Sequence, residues 1–577
     1  MSTEKTELSE RQDASGIADG TRPSVPLSEV EGIKETSDFL RGTIAQSLTD
    51  GNDGFSEDDK QLLKFHGLYQ QKHRDKTEGG GEKKNSFMLR GRIPGGRLTA
   101  EQYLAWDYLG DRFGGGSLRL TTRQSVQLHG LLKEDLKAVM QEIHRVGLTS
   151  VGACGDVVRN VTEALNITGN PLYTQLSYFS SVLSDYFKYE STSYVEIWLD
   201  DVQQNPVKQE RIYGKTYLPR KFKIAVCLAG ENGIDLYAND MGFAATHTNG
   251  KIDGFFVFVG GGGGMTHNKP ETFPRAADLL GWIPVDVLLP VATAIVTAHR
   301  DFGDRTNRKH ARLKYVLADR GVNWFRNEVE SRAKIAFDTA RALPAWKVPE
   351  YHGFIRKPDG KYNFGLYIMN GRIKDIPGYR LKTAIQLAVA RTGVSLQLTP
   401  DQDILFLDMD EKQRQELLHI FKAHGINTNR PNALYRRALA CVSLPTCALA
   451  LTEAERNFPH VIRDINALIE KHNLMDRAPL VRMTGCPNGC GRPYSAEIGI
   501  VGQQNGGKYA LFLGGNYAGT KVGEAVLHKI QMNDLPAQLD KAFALWSKES
   551  QPKERFGDFV ARVGLERIKQ VFTAEAK

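Results

Sequence analysis

Four of the six cysteines lie in two closely spaced pairs late in the chain. Five residues separate Cys441 from Cys447, and three separate Cys486 from Cys490 in a segment rich in glycine and proline. Neither spacing is the two-residue knuckle of zinc ribbons. Four thiolates can hold a [4Fe-4S] cluster, and glycine and proline let the backbone wrap closely around it. The spacing therefore favours an iron–sulfur cluster, with zinc as the alternative.

A polar strand face forms a second candidate site. In residues 118–129, alternate side chains would point the same way on a β-strand. The side chains that share this face are Arg119, Thr121, Arg123, Ser125, Gln127 and His129. They could be solvated, or they could bind a polyanion, because arginine forms paired hydrogen bonds with carboxylates. Since the cysteine pairs already indicate a cofactor, the polyanion site is favoured.

Two lysines form a third candidate group. In the string Tyr217-Leu-Pro-Arg-Lys-Phe-Lys, the same period of two places Lys221 and Lys223 on one face, while Arg220 and Phe222 take the other. Adjacent ammonium groups repel each other, so an anion bound between them would relieve that repulsion. Taken alone, the string is more typical of an exposed charged strand than of a binding site.

An internal repeat indicates which elements position these residues. Two segments match at a separation of 278 residues, and each predicts a strand, a helix, an alternating strand and a second helix. The matched positions are Ser117–Thr121 with Ser395–Thr399, Gln124 with Gln402, and Gly147 with Gly425. Chance similarity between two ordinary α+β segments is the alternative. A true duplication would give two halves, related by a pseudo-twofold axis, with a site between them.

Composition sets broader limits. The chain has 577 residues, a formal net charge of +8 and 41% hydrophobic residues, which is typical of a globular protein. Its length predicts about three or four domains. So few cysteines in so long a chain exclude a disulfide framework, and Cys154 and Cys227 are interpreted as packing residues. Residues 1–22 lack an apolar signal core, and the most apolar stretch, 281–298, is interrupted by an aspartate and a proline, so a cytoplasmic protein without a membrane span is expected.

Local patterns add four predictions. Residues 1 to about 35 are polar without periodicity, which predicts a disordered arm. Residues 37–48 predict a helix. The run 75–85 contains three consecutive glycines and predicts a mobile loop. Ordered structure is expected to resume at Ser86.

The cysteine pairs with their flanking residues resemble the signature of the sirohaem-containing sulfite and nitrite reductases. The resemblance runs from about Ser37 to near the C-terminus, and it includes Phe65-His-Gly-Leu-Tyr-Gln-Gln and Phe556-Gly-Asp-Phe. It implies an α+β (mixed α/β) fold in which two ferredoxin-like halves, related by a pseudo-twofold axis, surround the cofactors. It also implies that the four cysteines ligate a [4Fe-4S] cluster and that Cys490 bridges to the sirohaem iron.

The resemblance further implies site residues. The lysine string and the segments ending in Arg90 and Arg159 are similar to those that face the substrate in this family, so the implied catalytic set is Arg90, Arg159, Lys221 and Lys223. The implied cofactor contacts are Arg119, Thr121, Arg123, His129, Arg220, Arg305, Arg308, Lys309, Gly261, Gly262, Asn488, Gly514 and Asn516. The glycine run at 260–264 is longer than the family pattern.

Five regions follow from the resemblance. Residues 1–60 would form an N-terminal arm that docks a partner, and 61–155 the first ferredoxin-like half. Residues 156–345 would bind sirohaem and substrate. The second half, 346–425, would pair with the first, and 426–577 would carry the cluster and contact the sirohaem.

The implied activity is the six-electron reduction of sulfite to sulfide, which serves sulfate assimilation and cysteine biosynthesis. The chain most resembles the haemoprotein (beta) type that receives electrons from a flavoprotein (alpha) subunit carrying FAD and FMN and using NADPH. No dinucleotide fingerprint opens a strand–helix unit, in keeping with an external donor. A ferredoxin donor, nitrite reduction to ammonia and, in another class, a zinc-stapled nucleic-acid-binding protein are the alternatives. The last is disfavoured because the basic residues are dispersed and the net charge is small.

Overall fold

Four five-stranded sheets, numbered I to IV, dominate the computed structural model, which describes residues 25–72, 85–190, 198–199, 202–203 and 210–573. Sheet I has the strand order Leu68–Gln71, Ser86–Arg90, Val126–Leu131, Leu118–Leu120 and Arg372–Ile373. Sheet II has the order Asp278–Pro284, Lys251–Val259, Met241–Thr248, Ile224–Leu228 and Thr162–Glu163. Sheet III has the order Gly353–Arg356, Tyr362–Leu366, Ile404–Met409, Leu396–Leu398 and Arg97–Leu98. Sheet IV has the order Leu439–Ala440, Val481–Thr484, Ile498–Gln504, Lys508–Leu513 and Glu524–Gln531.

Sheets I and III are equivalent, and each takes its last strand from the other half of the chain. Arg97–Leu98 pairs antiparallel with Leu396–Leu398, and Arg372–Ile373 pairs antiparallel with Leu118–Leu120. Each exchanged strand follows a single 3-10 turn whose middle residue, Gly95 or Asn370, has a left-handed φ of 60° or 54°. One continuous hydrophobic core joins both sheets. The predicted duplication and the mixed α+β fold class are confirmed.

Sheets II and IV are also equivalent in topology. In both, the three strands that come first in the chain run parallel, and the remaining two extend the sheet in antiparallel fashion. Each sheet belongs to its own large hydrophobic core. The architectural repeat therefore covers far more of the chain than the segments whose sequences match.

Helices cover these sheets. The helices of sheets I and III are Ala100–Arg112, Leu136–Arg145, Leu381–Thr392 and Glu411–Ala423. Those that accompany sheet II are Pro171–Tyr186, Leu288–Phe302, Leu313–Arg320 and Val322–Ala333. Those that accompany sheet IV are Phe458–Lys471, Leu535–Glu549, Phe556–Val563 and Leu565–Thr573. Three helices lie near the N-terminus: Glu29–Thr36, Ile44–Ser47 and Glu57–Leu63. None of these described helices combines the length and apolar character needed to cross a bilayer.

The strand predicted over residues 118–129 is wrong, because it is a hairpin. Leu118–Leu120 and Val126–Leu131 pair antiparallel, so Arg119 lies opposite Gln127. The intervening turn is closed by the Thr121 amide, which donates to the Ser125 carbonyl, and Gln124 has a left-handed φ of 50°. The six alternating side chains consequently do not form one face.

Two predictions near the N-terminus also need correction. Residues 25–35 are not part of a disordered arm, because the helix Glu29–Thr36 buries Glu31 and Lys34. The segment 37–48 is helical only at Ile44–Ser47, and three consecutive residues from Asp38 have positive φ. Ser86 begins the strand Ser86–Arg90, as predicted, whereas residues 1–24 and 75–84 lie outside the described residues.

Candidate functional site

The two cysteine pairs meet at one end of sheet IV. Cys441 follows the strand Leu439–Ala440, and Cys486 comes two residues after the adjacent parallel strand Val481–Thr484. The Cys441 amide donates to the carbonyl of the neighbouring strand at 3.1 Å. Amides of residues 451 and 452 both donate to the Gly485 carbonyl, which closes the loop carrying Cys447 onto the loop carrying Cys486. Adjacent parallel strands thus bring together pairs that are distant in the chain.

Close packing explains the glycine before Cys486. A Cβ at Gly485 would lie 1.8 Å from the Ser443 hydroxyl oxygen, so no side chain fits between the two loops. The Gly485 amide donates to the Cys441 sulfur at 3.4 Å, and the Asn488 side-chain amide donates to the Cys486 sulfur at 3.5 Å. Amide donors aimed at sulfur tune iron–sulfur clusters. These contacts fit thiolate ligands of a cluster.

The four thiols are electrostatic neighbours. Burial, followed by the nearby Cys490 and Cys447, raises the pKa of Cys486 to about 12. Burial, followed by Cys490, likewise raises the pKa of Cys441 well above its ordinary value. Among the described residues, no three histidine, cysteine or carboxylate side chains are placed to hold a single metal ion. The thiols are grouped, but not around one ion.

A cleft adjoins the cysteine loop. The cysteine loop supplies one wall through Asn488 and Gly489, and the hairpin turn of sheet I supplies another through Thr122 and Arg123. The Thr122 hydroxyl donates to the Cys490 carbonyl at 3.0 Å, which joins these walls. Six cations line the cleft: Arg123, Lys221, Lys223, Arg275, Arg312 and Arg492. The cleft is therefore suited to an anionic ligand.

Lys221 and Lys223 enter the same cleft, as their spacing predicts. Burial, followed by the nearby Arg159, Arg220 and Arg312, lowers the pKa of Lys221 to about 7. The pKa of Lys223 falls well below its ordinary value, first through burial and then through Lys221. An anion placed between the two ammonium groups would reverse both shifts.

Arg159 lies near Lys221, whose pKa it lowers, and Arg90 lies near Cys490, but neither arginine lines the cleft. Arg90 donates to the Cys154 sulfur at 2.9 Å, and the guanidinium of Arg159 donates twice to the Gly155 carbonyl. Burial lowers the pKa of Arg90, but Cys154 and two other neighbours, Tyr69 and Cys490, raise it above its usual value. Cys154 is therefore a hydrogen-bond partner at the site as well as the buried packing residue that was predicted. Cys227 is fully buried in a strand of sheet II.

The predicted basic run divides in the structure. Arg308 and Arg220 converge on Asp156, with N–O distances of 2.7 and 3.6 Å. Arg305 is instead buried against Glu31 and donates to the Tyr217 carbonyl, so it holds the N-terminal helix and does not line the cleft. Lys309 is exposed.

Three predicted cofactor residues on the sheet I hairpin also lie apart from the cleft. Arg119 is buried, pairs with Glu455 at 3.1 Å and donates to the Ala440 carbonyl beside Cys441. Burial, together with Arg372 and Arg119, holds the pKa of His129 well below its usual range. The Thr121 hydroxyl accepts from the Arg123 amide. Arg123 itself reaches the cleft, where its guanidinium donates to the Asn239 side chain at 2.8 Å and to two backbone carbonyls.

The glycines predicted to contact the cofactor, Gly261 and Gly262, do not line the cleft. A Cβ at Gly261 or Gly262 would clash with the Tyr237 carbonyl or the Arg312 guanidinium, so these glycines permit close packing. The next two glycines, 263 and 264, line the cleft. Gly514 and Asn516 lie in the loop whose later residues, Gly519 and Val522, reach the cleft. The Asn516 side chain braces that loop by accepting from the amide of residue 520.

Known proteins resemble this chain in its domains, in its sequence and in its fold. The family model of the nitrite and sulphite reductase 4Fe-4S domain matches residues 181–337 and 436–577, and the nitrite/sulfite reductase ferredoxin-like half domain matches 80–146. The chain is 41% identical over 554 residues to the proteins named sulfite reductase (NADPH) hemoprotein beta-component of Shewanella sp. (strain W3-18-1) and Shewanella oneidensis, covering 94% of this chain and 97% of each relative. The chain belongs to the nitrite and sulfite reductase family. The solved NirA protein of Mycobacterium tuberculosis shares the fold, with a TM-score of 0.76 at 24% identity, 94% of this chain and 98% of that one being covered.

Membership of the family decides between the two cysteine interpretations. All four cysteines lie in the second matched part of the 4Fe-4S domain. A domain of this class holds an iron–sulfur cluster, so the zinc-stapled nucleic-acid-binding alternative is overturned. The thiol donors, the amide-to-sulfur contacts and the cationic cleft are consistent with the cofactors of the family.

Sequence reasoning missed several residues of the cleft. Arg312 forms a forked ion pair with Asp240 at 2.7 Å, and Arg492 pairs with two buried aspartates. Arg492 follows Cys490 by two residues, so its place in the motif was an available signal. Arg275 and Arg312 reach the cleft only through the folding of sheet II and its helices, and no spacing in the sequence indicates them.

Proposed function

We propose that this protein reduces sulfite to sulfide with six electrons, as the haemoprotein component of an NADPH-dependent sulfite reductase. One observation carries the proposal: the cleft that holds Lys221 and Lys223 shares a wall with the loop of Cys486 and Cys490. An anionic substrate and a cluster thiolate are thereby brought to one place. The names of relatives at 41% identity support the same activity.

The residues present suit the cofactors of the proposal. Cys441, Cys447, Cys486 and Cys490 would hold a [4Fe-4S] cluster, and Cys490 would also help to hold sirohaem. The arginines of the cleft other than Arg492, whose guanidinium is held by two aspartates, would pair with sirohaem carboxylates, because guanidinium binds carboxylate in a forked geometry. The coupled cofactors would supply the electrons and the iron that binds the substrate sulfur.

The chain's own residues would bind sulfite and supply protons. Arg90 and Arg159 would stay charged and hold the anion, since guanidinium is not deprotonated in proteins. A pKa of about 7 lets the Lys221 ammonium release a proton from Nζ near neutral pH, as a general acid requires. A bound anion would raise the lowered pKa of Lys223, and the resulting ammonium group would share the positive field over the substrate oxygens.

Electrons would come from a separate polypeptide. The relatives' names place a beta-component within an NADPH-dependent enzyme, and we propose a flavoprotein alpha subunit carrying FAD and FMN as the donor. Copurification of the native complex with a flavin-bearing polypeptide tests this choice. Reduction of the haemoprotein by ferredoxin alone, with no bound flavoprotein, would favour the ferredoxin alternative.

The test of the proposed function is the visible spectrum of the purified protein, together with its iron, zinc and acid-labile sulfide content. We expect chlorin-like red absorption bands and about one more iron than labile sulfide per chain. Sulfite should then be consumed with a higher kcat/KM than nitrite when a chemical reductant supplies the electrons. A colourless, zinc-loaded protein from cells that make sirohaem would refute the proposal, and a preference for nitrite would transfer it to nitrite reduction.

A further inference from the structure

A buried ion network lies behind the cleft and joins three parts of the fold. Its cations are Arg437, Arg482 and Arg492, from the sheet IV region that carries the cysteines, and its anions are Asp235 and Asp401. Asp235 follows the sheet II strand Ile224–Leu228 in the chain, and Asp401 lies in the turn between two strands of sheet III. The network therefore meets where the cysteine region contacts both neighbouring sheets.

Arg492, on the cysteine loop, contacts both aspartates of the network. One guanidinium nitrogen, Nη1, lies 2.8 Å from Asp235 Oδ2, and the other, Nη2, lies 3.1 Å from Asp401 Oδ1. Nη2 also donates to the Pro400 carbonyl at 2.7 Å. A planar fork can bind two carboxylates in fixed directions, whereas a lysine ammonium acts as a single point charge. The side chain therefore has a defined orientation.

The backbone at Arg492 is strained. Its φ is 58°, in the left-handed region that non-glycine residues rarely adopt, and its amide closes a turn by donating to the Gly489 carbonyl at 2.9 Å. Two other residues at this network share the feature, because Asp235 has φ 51° and Gln402, next to Asp401, has φ 74°. Such conformations persist only where the surrounding structure imposes them. The turn that contains Cys490 is thus held in place by side-chain contacts.

The internal repeat relates Asp401 to Arg123. Asp401 occupies the position that corresponds to Arg123 in the other copy, since Gln124 and Gln402 are the next matched residues. In the first copy the turn directs Arg123 into the cleft, and in the second copy the turn directs a carboxylate to Arg492. The two equivalent turns therefore both contact the cysteine loop, the first at Cys490 and the second at Arg492.

We propose that Arg492 is a positioning residue. Its guanidinium, held between Asp235 and Asp401, fixes the turn that contains Cys490 and so sets the position of the Cys490 sulfur at the cleft. The inference rests on the proposed function, in which Cys490 helps to hold both cofactors. Arg492 acts through Cys490, and its own contacts with the two aspartates explain why arginine stands at a strained position.

The test compares Arg492→Lys with Arg437→Lys in the purified holoprotein. Both variants keep the charge and weaken the same network, but only Arg492 belongs to the turn that contains Cys490. For Arg492→Lys we expect changed sirohaem absorption and electron paramagnetic resonance spectra and about a tenfold or greater fall in kcat. KM for sulfite should stay within about twofold. For Arg437→Lys we expect at most a lower melting temperature, with spectra like those of the wild type.

Three results would overturn the inference. These are unchanged spectra and cofactor content in Arg492→Lys, equal spectral changes in both variants, or a fall in melting temperature as the only effect. Should Arg492→Lys fail to accumulate, Asp401→Asn removes one partner of the fork, and unchanged spectra in that variant would equally refute the inference. A wild-type protein without sirohaem or labile sulfide would instead refute the proposed function, so the two failures are distinguishable.

Discussion

Lys221 shows how strongly one side chain can depend on whether the cleft is filled. Burial and three nearby guanidinium groups bring its pKa to about 7. A bound anion stabilises the ammonium form and raises that pKa. Anion binding and proton uptake are therefore linked at this residue.

The linkage predicts the pH dependence of anion binding. Sulfate keeps its charge between pH 6 and 9, so any change reports the protein. As pH rises above about 7, free Lys221 loses its proton and must regain it to bind the anion, so affinity should fall by up to about tenfold per pH unit. Isothermal titration of sulfate into the holoprotein would measure this slope.

The matched variants for this titration are Lys221→Met and Lys412→Met. Lys412 is exposed on the helix Glu411–Ala423 and should leave the slope unchanged. Lys221→Met should reduce the slope, keep both cofactors and slow sulfide formation. A slope equal to that of the wild type in Lys221→Met would contradict the assignment.

At the scale of elements, the helix Glu29–Thr36 is attached to the site by buried charges. Lys34 lies 2.5 Å from Glu31 and 3.9 Å from Asp156, and Asp156 also receives Arg308 and Arg220. One carboxylate thus faces three cations. The helix and two predicted cofactor arginines therefore share Asp156 as a counter-ion, and Lys34 has Glu31 as a second one.

Asp156→Asn should therefore destabilise the protein by about 3–5 kcal/mol, because Arg220 and Arg308 would lose their carboxylate and Lys34 would keep only Glu31. The cations hold the pKa of Asp156 well below its usual range, so this contribution is fully present above about pH 4 and is lost only in more acid solution. Urea unfolding at pH 7 and pH 4 would measure it. Asp286→Asn, at an exposed position, should change stability by less than about 0.5 kcal/mol; an equally small effect of Asp156→Asn would show that the cations are compensated elsewhere.

The hairpin of sheet I shows why some elements could be predicted and others could not. The match of Gln124 with Gln402 correctly indicated equivalent positions in the two copies, and both residues adopt left-handed φ. Alternating polar residues nevertheless suggested one long strand, because the turn contains no glycine, proline or asparagine to mark it. The helix Glu29–Thr36 was missed for a related reason: it is held by ion pairs to residues more than 100 positions away, which local composition cannot reveal.

At the scale of the whole molecule, the exchange of strands makes each ferredoxin-like half depend on the other. Leu98 comes from the first half but is buried in sheet III beside Leu396, and Ile373 comes from the second half but pairs with Leu118 in sheet I. The repeat predicted two related halves. It could not indicate the exchange of strands, because pairing between distant strands leaves no local sequence pattern. The equivalence of sheets II and IV could not be predicted either, because their shared topology has persisted after the sequence identity was lost.

Leu98→Ala should lower the free energy of unfolding by about 2–5 kcal/mol, as expected for a buried leucine. Hydrogen exchange should accelerate both in peptides of residues 118–131 and in those of residues 396–409, because one core joins the two sheets. Leu132→Ala, at a leucine that is 41% exposed, is the control and should change neither set. Faster exchange in only one of the two sets would contradict the mutual dependence.

The exchanged strands and the shared cleft also determine when the binding site can exist during synthesis. Sheet I is completed by residues 372–373, and the cleft has walls that run from Thr122 to Val522. At about 5–20 residues per second, a ribosome needs roughly 20–80 s to pass from the first wall to the last. A nascent chain therefore carries an open half-site for most of its translation. We therefore expect sirohaem to be loaded only after Val522 has been synthesised.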